Sequence, residues 1–197
     1  MNVKVFGIGG AGRNILNALI VRGMHPSLGV YIDTDKNARA ASRAGTFLML
    51  GEETFHGLNT GADPNKGRVA AQLSEQEIAR AMCGVDLLIL TAGLGAGVGS
   101  GATPVIANLA RHMKIATVAV VATLPADKEG RARCEQARAA LGELEALSIR
   151  QCHVKQISSD SPLFRWFDEA DTWAVETIFR IITKAEAQQH KSPPPLT

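Results

Sequence analysis

The chain alternates short apolar runs with longer amphipathic stretches almost from its first residue to its last. The apolar runs predict strands at Val3–Phe6, Val30–Ile32, Thr46–Leu50, Leu87–Thr91, Thr117–Val121 and His153–Ile157. The amphipathic stretches predict helices at Asn14–Arg22, Lys36–Arg43, Gly67–Met82, Thr103–Met113, Glu129–Leu147 and Pro162–Gln188. A break is expected at Ser74, where Ser74 and Glu77 read as a capping box. Strands alternating with helices imply parallel strands joined by right-handed crossovers. Several strands are continuous apolar runs, as expected when helices cover both faces of a sheet. The expected fold is therefore α/β: a Rossmann-like, doubly wound, mainly parallel sheet of about six strands with a long C-terminal helix. Ligands of such sheets sit at the carboxyl ends of the strands.

Two glycine-rich turns fall at such ends. Gly7-Ile8-Gly9-Gly10-Ala11-Gly12 follows the first strand and fits G-x-G-x-x-G, with Asp33 and Asp35 ending the next strand. Alone it would suggest a dinucleotide such as NAD. The second turn is richer, with five glycines among the ten residues Ala92–Gly101. It precedes Thr103-Pro104, which reads as an N-cap followed by proline at the first helical position. A strand, a glycine-rich turn and a helix N-terminus together make an anion site, because backbone N–H groups and the helix dipole both favour negative charge. Glycine also lets the chain approach phosphate closely.

Composition narrows the classes. At 197 residues and 46% hydrophobic, the chain can bury a real core. Residues 1–189 read as one nucleotide-binding domain, and 190–197 as a proline-rich, disordered tail. A net charge of +2 without any Lys/Arg run gives no footprint for nucleic acid. No stretch is apolar for long enough to insert in a membrane. The first strand begins at once, with no signal peptide before it, so a cytoplasmic protein is expected. Cys83, Cys134 and Cys152 fit no metal spacing and read as reduced thiols. The five histidines form no evident catalytic motif, and no Walker lysine follows either glycine turn.

Five segments together resemble the nucleotide-binding domain of the FtsZ/tubulin GTPases, nearer the bacterial FtsZ branch. The signature loop GGGTGTG of that family is matched by Gly95-Ala96-Gly97-Val98-Gly99-Ser100-Gly101. Its first loop, GVGGGGGN, is matched by Gly7 to Asn14, and its NTD turn by Asp33-Thr34-Asp35. GLGAGANPEVGR is matched by Gly57 to Arg68, and EGKKR by Glu129-Gly130-Arg131-Ala132-Arg133. The likeness covers residues 1 to 184.

The resemblance implies GTP or GDP as ligand, with Mg²⁺ beside the phosphates. It places Gly9, Gly10, Ala11, Arg13 and Asn14, with Gly95, Ala96, Gly97, Val98, Gly99 and Ser100, around the phosphates. It sets Gly61, Ala62 and Asp63 at the γ-phosphate. Glu129, Arg133 and Ser159 would meet the ribose and base edge, Phe167 would stack on the base, and Asp171 would read it. A carboxylate accepts both guanine N1–H and the exocyclic amine, a pair adenine cannot offer. Helical spacing supports Asp171 separately. It falls between Ile178 and Ile182 on the apolar arc, where an acid needs a partner. Asp35 is the candidate metal contact, through water.

This sequence also departs from the family pattern. Val98 replaces the first threonine of the signature, and Asp33 and Asp63 replace asparagines. Acids there would weaken triphosphate binding unless a cation bridges them, or would serve only as turn residues. The loop that activates hydrolysis in the family, and the second domain, have no counterpart after Gln188. The last helix is apolar over more than half its circumference, so an exposed face that binds a second copy or another protein is expected. The leading expectation is a guanine-nucleotide-binding assembly module with weak or no intrinsic hydrolysis. Two alternatives stand beside it: a self-assembling GTPase activated in trans by a partner, and a Rossmann NAD(P)-dependent oxidoreductase.

Overall fold

The computed structural model describes residues 1–149, 151–158 and 163–189. Six parallel strands form one sheet: β1 (Val3–Ile8), β2 (Gly29–Asp33), β3 (Thr46–Met49), β4 (Leu87–Gly93), β5 (Thr117–Leu124) and β6 (Gln151–Gln156). Their order is β3-β2-β1-β4-β5-β6, the doubly wound arrangement expected from the alternating pattern. The helices are α1 (Gly9–Val21), α2 (Glu52–Phe55), α3 (Pro64–Leu73), α4 (Glu75–Met82), α5 (Gly97–His112), α6 (Arg131–Ala146) and α7 (Leu163–Gln189). The strand order reverses between β1 and β4, and a crevice opens at that point beyond their carboxyl ends.

Each face of the sheet has its own core. Phe6, Ile8, Leu88, Leu90 and Val120 meet α3 to α6 on one side. Val5, Tyr31, Ile89 and Val121 meet α1 and α7 on the other. The period-2 alternation of side chains along each strand divides residues between the two cores. The apolar arc of α7 is largely used here. Ala174, Val175 and Ile178 are fully buried, and Trp173, Phe179 and Ile182 are partly buried against the same cluster. The exposed helix face expected from sequence is thus mostly covered by α1 and the sheet; among the described side chains of α7, Phe167 is the large apolar one in the open.

Several boundaries differ from expectation for physical reasons. α1 begins at Gly9 rather than Asn14, and α5 at Gly97 rather than Thr103. Thr103 is not an N-cap. Its Oγ1 donates to the Gly99 carbonyl at 2.6 Å, inside the helix. Pro104 then lies within α5, where proline ordinarily costs ~3 kcal/mol. Tertiary contact offsets that cost: α5 rests directly on α3, with Gly67 against the Gly97 carbonyl and Gly101 against Pro64 and Arg68. Lys36–Ala41 is a 3-10 turn, shorter than the helix expected there.

The break at Ser74 is present, but its cause differs. Ser74 makes no side-chain cap. Its hydroxyl instead accepts the buried Gly51 N–H at 2.8 Å, which ties the end of β3 to the α3–α4 junction. Ser74→Ala should therefore strand that N–H and cost ~1–3 kcal/mol. Glu77, exposed and paired loosely with Arg80 at 3.5 Å, should cost less than ~0.5 kcal/mol as Glu77→Ala. Urea midpoints of the two variants check this, and equal losses would restore the capping box.

Candidate functional site

Three loops meet at the crevice. The turn from β1 into α1 lies against the turn from β4 into α5: a Cβ on Gly9 would stand 3.2 Å from the Gly99 nitrogen and 3.6 Å from the Val98 Cβ. The loop before α3 closes the third side, with the Thr60 side chain and the Asp63 nitrogen packed on Gly97. Gly9 and Gly95 hold positive φ of 71° and 100°, which glycine adopts without strain. Gly97, Gly99 and Gly101 have ordinary φ. They are glycine because protein backbone and side chains fill the space a Cβ would need. Packing within the protein thus by itself requires glycine at these three positions.

The N-termini of α1 and α5 suit an anion. Their N-caps, Ile8 and Ala96, make no side-chain cap, and neither first turn holds an acid. The free N–H groups and the dipoles of both helices point into the crevice. Ser100, buried, accepts the Gly95 N–H at 2.6 Å and so holds the second turn in shape. Gly10 lies exposed in open space, and Gly61 and Ala62 are exposed as well. Ala62 has φ 63°, an uncommon conformation for a residue with a Cβ.

The acids of this region are committed to the backbone. Asp63 caps α3 by accepting the Asn65 N–H at 2.9 Å. Asp35 caps the following 3-10 turn through the Asn37 N–H at 2.9 Å. Asp33 is buried, and its carboxylate accepts the Tyr31 hydroxyl at 2.5 Å and the Thr34 N–H at 2.7 Å. Burial and that bond push the Tyr31 phenol well above its ordinary pKa. Among the described residues no three His, Cys, Asp or Glu side chains stand together as a metal cage. A divalent cation in the crevice would therefore be held chiefly by phosphate and water, as magnesium commonly is.

A second cleft continues from the crevice along β5. Ala11, Asn14, Leu94, Thr123, Pro125, Glu129, Arg133, Ile157, Phe167 and Asp171 line it. The structure thus brings together four residues expected at the sugar and base: Glu129, Arg133, Phe167 and Asp171. Glu129 is engaged, accepting the Ala126 N–H at 2.8 Å and pairing with Arg133 at 3.0 Å. Asp171 is not: no hydrogen-bond donor among the described residues meets its carboxylate. Burial, then the nearby Asp168 charge, push its pKa up to about 6. Ser159 lies outside the described residues. Sequence reasoning missed Thr123 and Pro125, although a threonine and a proline closing an apolar strand were a visible signal of a strand-end wall.

Comparison with known proteins gives the family and the fold. Residues 2–149 match the model of the tubulin/FtsZ family, GTPase domain. The chain is 36% identical over 190 residues to cell division protein FtsZ 1 of Thermococcus kodakarensis, covering 92% of this chain and 51% of that protein. It superimposes on an empty FtsZ dimer of M. jannaschii with a TM-score of 0.80 at 29% identity, over 90% of this chain and 53% of that one. A GTPγS-bound protofilament of CetZ2 from Haloferax volcanii shares the fold, with a TM-score of 0.78 at 20% identity over 90% and 57% of the two chains. The chain spans about half the length of these relatives. No described helix is long and apolar enough to cross a membrane. With three quarters of its length under the family model, the chain belongs to the tubulin/FtsZ family.

Proposed function

We propose that this chain binds a guanine nucleotide, GTP or GDP, across the crevice and the cleft, and that it hydrolyses GTP weakly. The observation that carries the reading is Asp171: a half-buried carboxylate that no donor among the described residues meets, in one cleft with Phe167. Guanine would supply the two missing donors from N1–H and its amine. Phe167, 48% exposed, would stack on the ring. The phosphates would rest on the N-termini of α1 and α5, touching Gly9, Gly10, Ala11 and Gly97 to Ser100. Gly61, Ala62 and Asp63 would face the terminal phosphate. Arg133, held by Glu129, would border the ribose.

Slow hydrolysis follows from the same residues. Val98 brings no hydroxyl, and Asp63 spends a carboxylate oxygen on Asn65. On this reading neither activates water, a contribution commonly worth ~10²–10⁴-fold. Nucleotide-dependent assembly, with a second copy or another protein that completes the reaction in trans, is part of the reading. Of the two acids the NAD reading offered, Asp33 is turned inward onto Tyr31, and Asp35 caps the following turn through the Asn37 N–H.

Calorimetric titration with GDP, ADP and NAD⁺ tests the reading. GDP alone should bind, and phosphate release from GTP should stay slow in the isolated chain. Equal binding of ADP would refute guanine recognition. Fast turnover without a partner would refute the weak-hydrolysis half.

A further inference from the structure

The two edges of the sheet are built differently. β6 ends one side and carries His153 and Lys155, polar guards of the kind that discourage strand pairing. β3 ends the other, and from Ala44 to Gly51 the chain holds no charged residue. β3 gives only half of its backbone groups to β2. The Leu50 N–H donates to the Asp33 carbonyl at 2.8 Å, and Met49 stands level with Asp33. Bonds to one parallel neighbour fall on alternate residues, so Thr46, Leu48 and Leu50 serve β2. Phe47 and Met49 turn their N–H and C=O groups outward, and no other group among the described residues meets them. The Phe47 ring lies against Tyr31, with 5.3 Å between centroids, on the α1 side of the sheet. Leu48 belongs to the opposite core. Both ends of the strand are pinned: the Gly45 N–H donates to the Pro26 carbonyl at 2.8 Å, and the Gly51 N–H to the Ser74 hydroxyl. The edge is held, uncharged and open, a template for another strand.

Charge selects the strand that fits. Arg43, exposed, precedes the edge, and Glu52 and Glu53, both exposed, follow it. None of the three makes an ion pair among the described residues. A strand with a base before it and acids after it is complementary to itself reversed. We propose that β3 pairs antiparallel with β3 of a second copy of this chain, about a two-fold axis normal to the sheet. Phe47 of each copy exchanges both backbone bonds with Met49 of the other. Arg43 lies four positions before Phe47, and Glu53 four positions after Met49. The same register therefore sets Arg43 of each copy level with Glu53 of the other, and the axis repeats the contact. The surface for a second copy is thus the β3 edge and not α7, whose apolar arc is spent on α1 and the sheet. It lies at the side of the sheet, away from the crevice at the strands' carboxyl ends, and needs no nucleotide.

Sedimentation equilibrium of the full chain without nucleotide, beside amide hydrogen exchange, tests the pairing. The unaltered protein should dimerise, more weakly as salt rises. Its Phe47 and Met49 amides should exchange more slowly as protein concentration increases. Arg43→Glu and Glu53→Arg should each weaken the dimer about tenfold, since each sets like charges opposite one another at two symmetric places. The double variant Arg43→Glu/Glu53→Arg should return to within about threefold of the unaltered protein, with the pair restored in reverse. Met49→Pro should abolish the dimer while circular dichroism stays native, because proline at an outward edge position removes an N–H that only the second copy needs. A chain that stays monomeric to about 1 mM would overturn the proposal. So would a dimer indifferent to the single charge reversals, a double variant as weak as either single one, or Phe47 and Met49 amides whose exchange ignores concentration.

Discussion

Gly97→Val should abolish measurable GDP binding and lower stability by ~1–3 kcal/mol or more. The Cβ alone would stand 2.9 Å from the Thr60 Cβ and 3.1 Å from the Asp63 nitrogen, and closer still to the Thr60 hydroxyl. The Asp63 nitrogen is backbone fixed at the start of α3, so the loop must leave the α5 N-terminus. That separates two of the three walls of the crevice. Gly142→Ala is the matched control. It lies exposed within α6 with nothing within 4 Å of its new Cβ, and should stabilise the fold by roughly 0.5–1 kcal/mol. Denaturant midpoints and GDP titrations of both variants check the contrast. Normal GDP affinity in Gly97→Val would mean that the loops around α5 can part without cost to the ligand.

Asp171→Asn should trade binding for stability. The folded-state pKa of Asp171, about 6, lies above its ordinary 3.8, so the native state holds a proton that the unfolded chain has lost. The stability this gives is present below about pH 4 and disappears as pH rises through 6. Above pH 7 the bare carboxylate should cost the empty protein about 1–3 kcal/mol, allowing for its exposed edge. Asn carries no charge, so the variant should be more stable than the unaltered protein at pH 8 and no different at pH 4. GDP affinity should drop about 10- to 100-fold at pH 8, with the charge-assisted acceptor gone. In the unaltered protein it should fall about tenfold per unit below pH 6, as the acceptor protonates. The Asn amide offers a donor to the carbonyl that xanthine carries in place of the guanine amine, so xanthosine diphosphate should gain on GDP. Undiminished GDP binding by Asp171→Asn would place the base elsewhere.

All six strands were legible, the central ones because helices on both faces make their interiors continuously apolar, a pattern that survives in a single sequence. Asp171 was legible for the opposite reason: an acid on an apolar arc contradicts its surroundings. The start of α5 was not. Glycine disfavours helix locally, and Thr103-Pro104 imitates a helix entrance. Only contact with α3 and Thr60, distant in sequence, makes Gly97 helical. Ser74 misled in the same way, since its true partner is the Gly51 N–H, 23 positions back. Nor could sequence show that Asp33 turns inward, because the turn depends on Tyr31 lying on the α1 face of β2.

The strand order also governs how the chain comes to be folded. β1, made first, sits in the middle of the sheet, and Val3 finds its partner in Leu87, 84 positions later. During synthesis at about 5–20 residues per second, one edge of β1 waits roughly 4–17 s for β4. Such long-range parallel pairing is slow to form, and the waiting edge is an open invitation to wrong neighbours. On the proposed reading Arg133 and Asp171 arrive later still, so a nucleotide would add its binding energy only after the sheet has closed. A ligand seated here locks a finished fold and cannot guide an unfinished one.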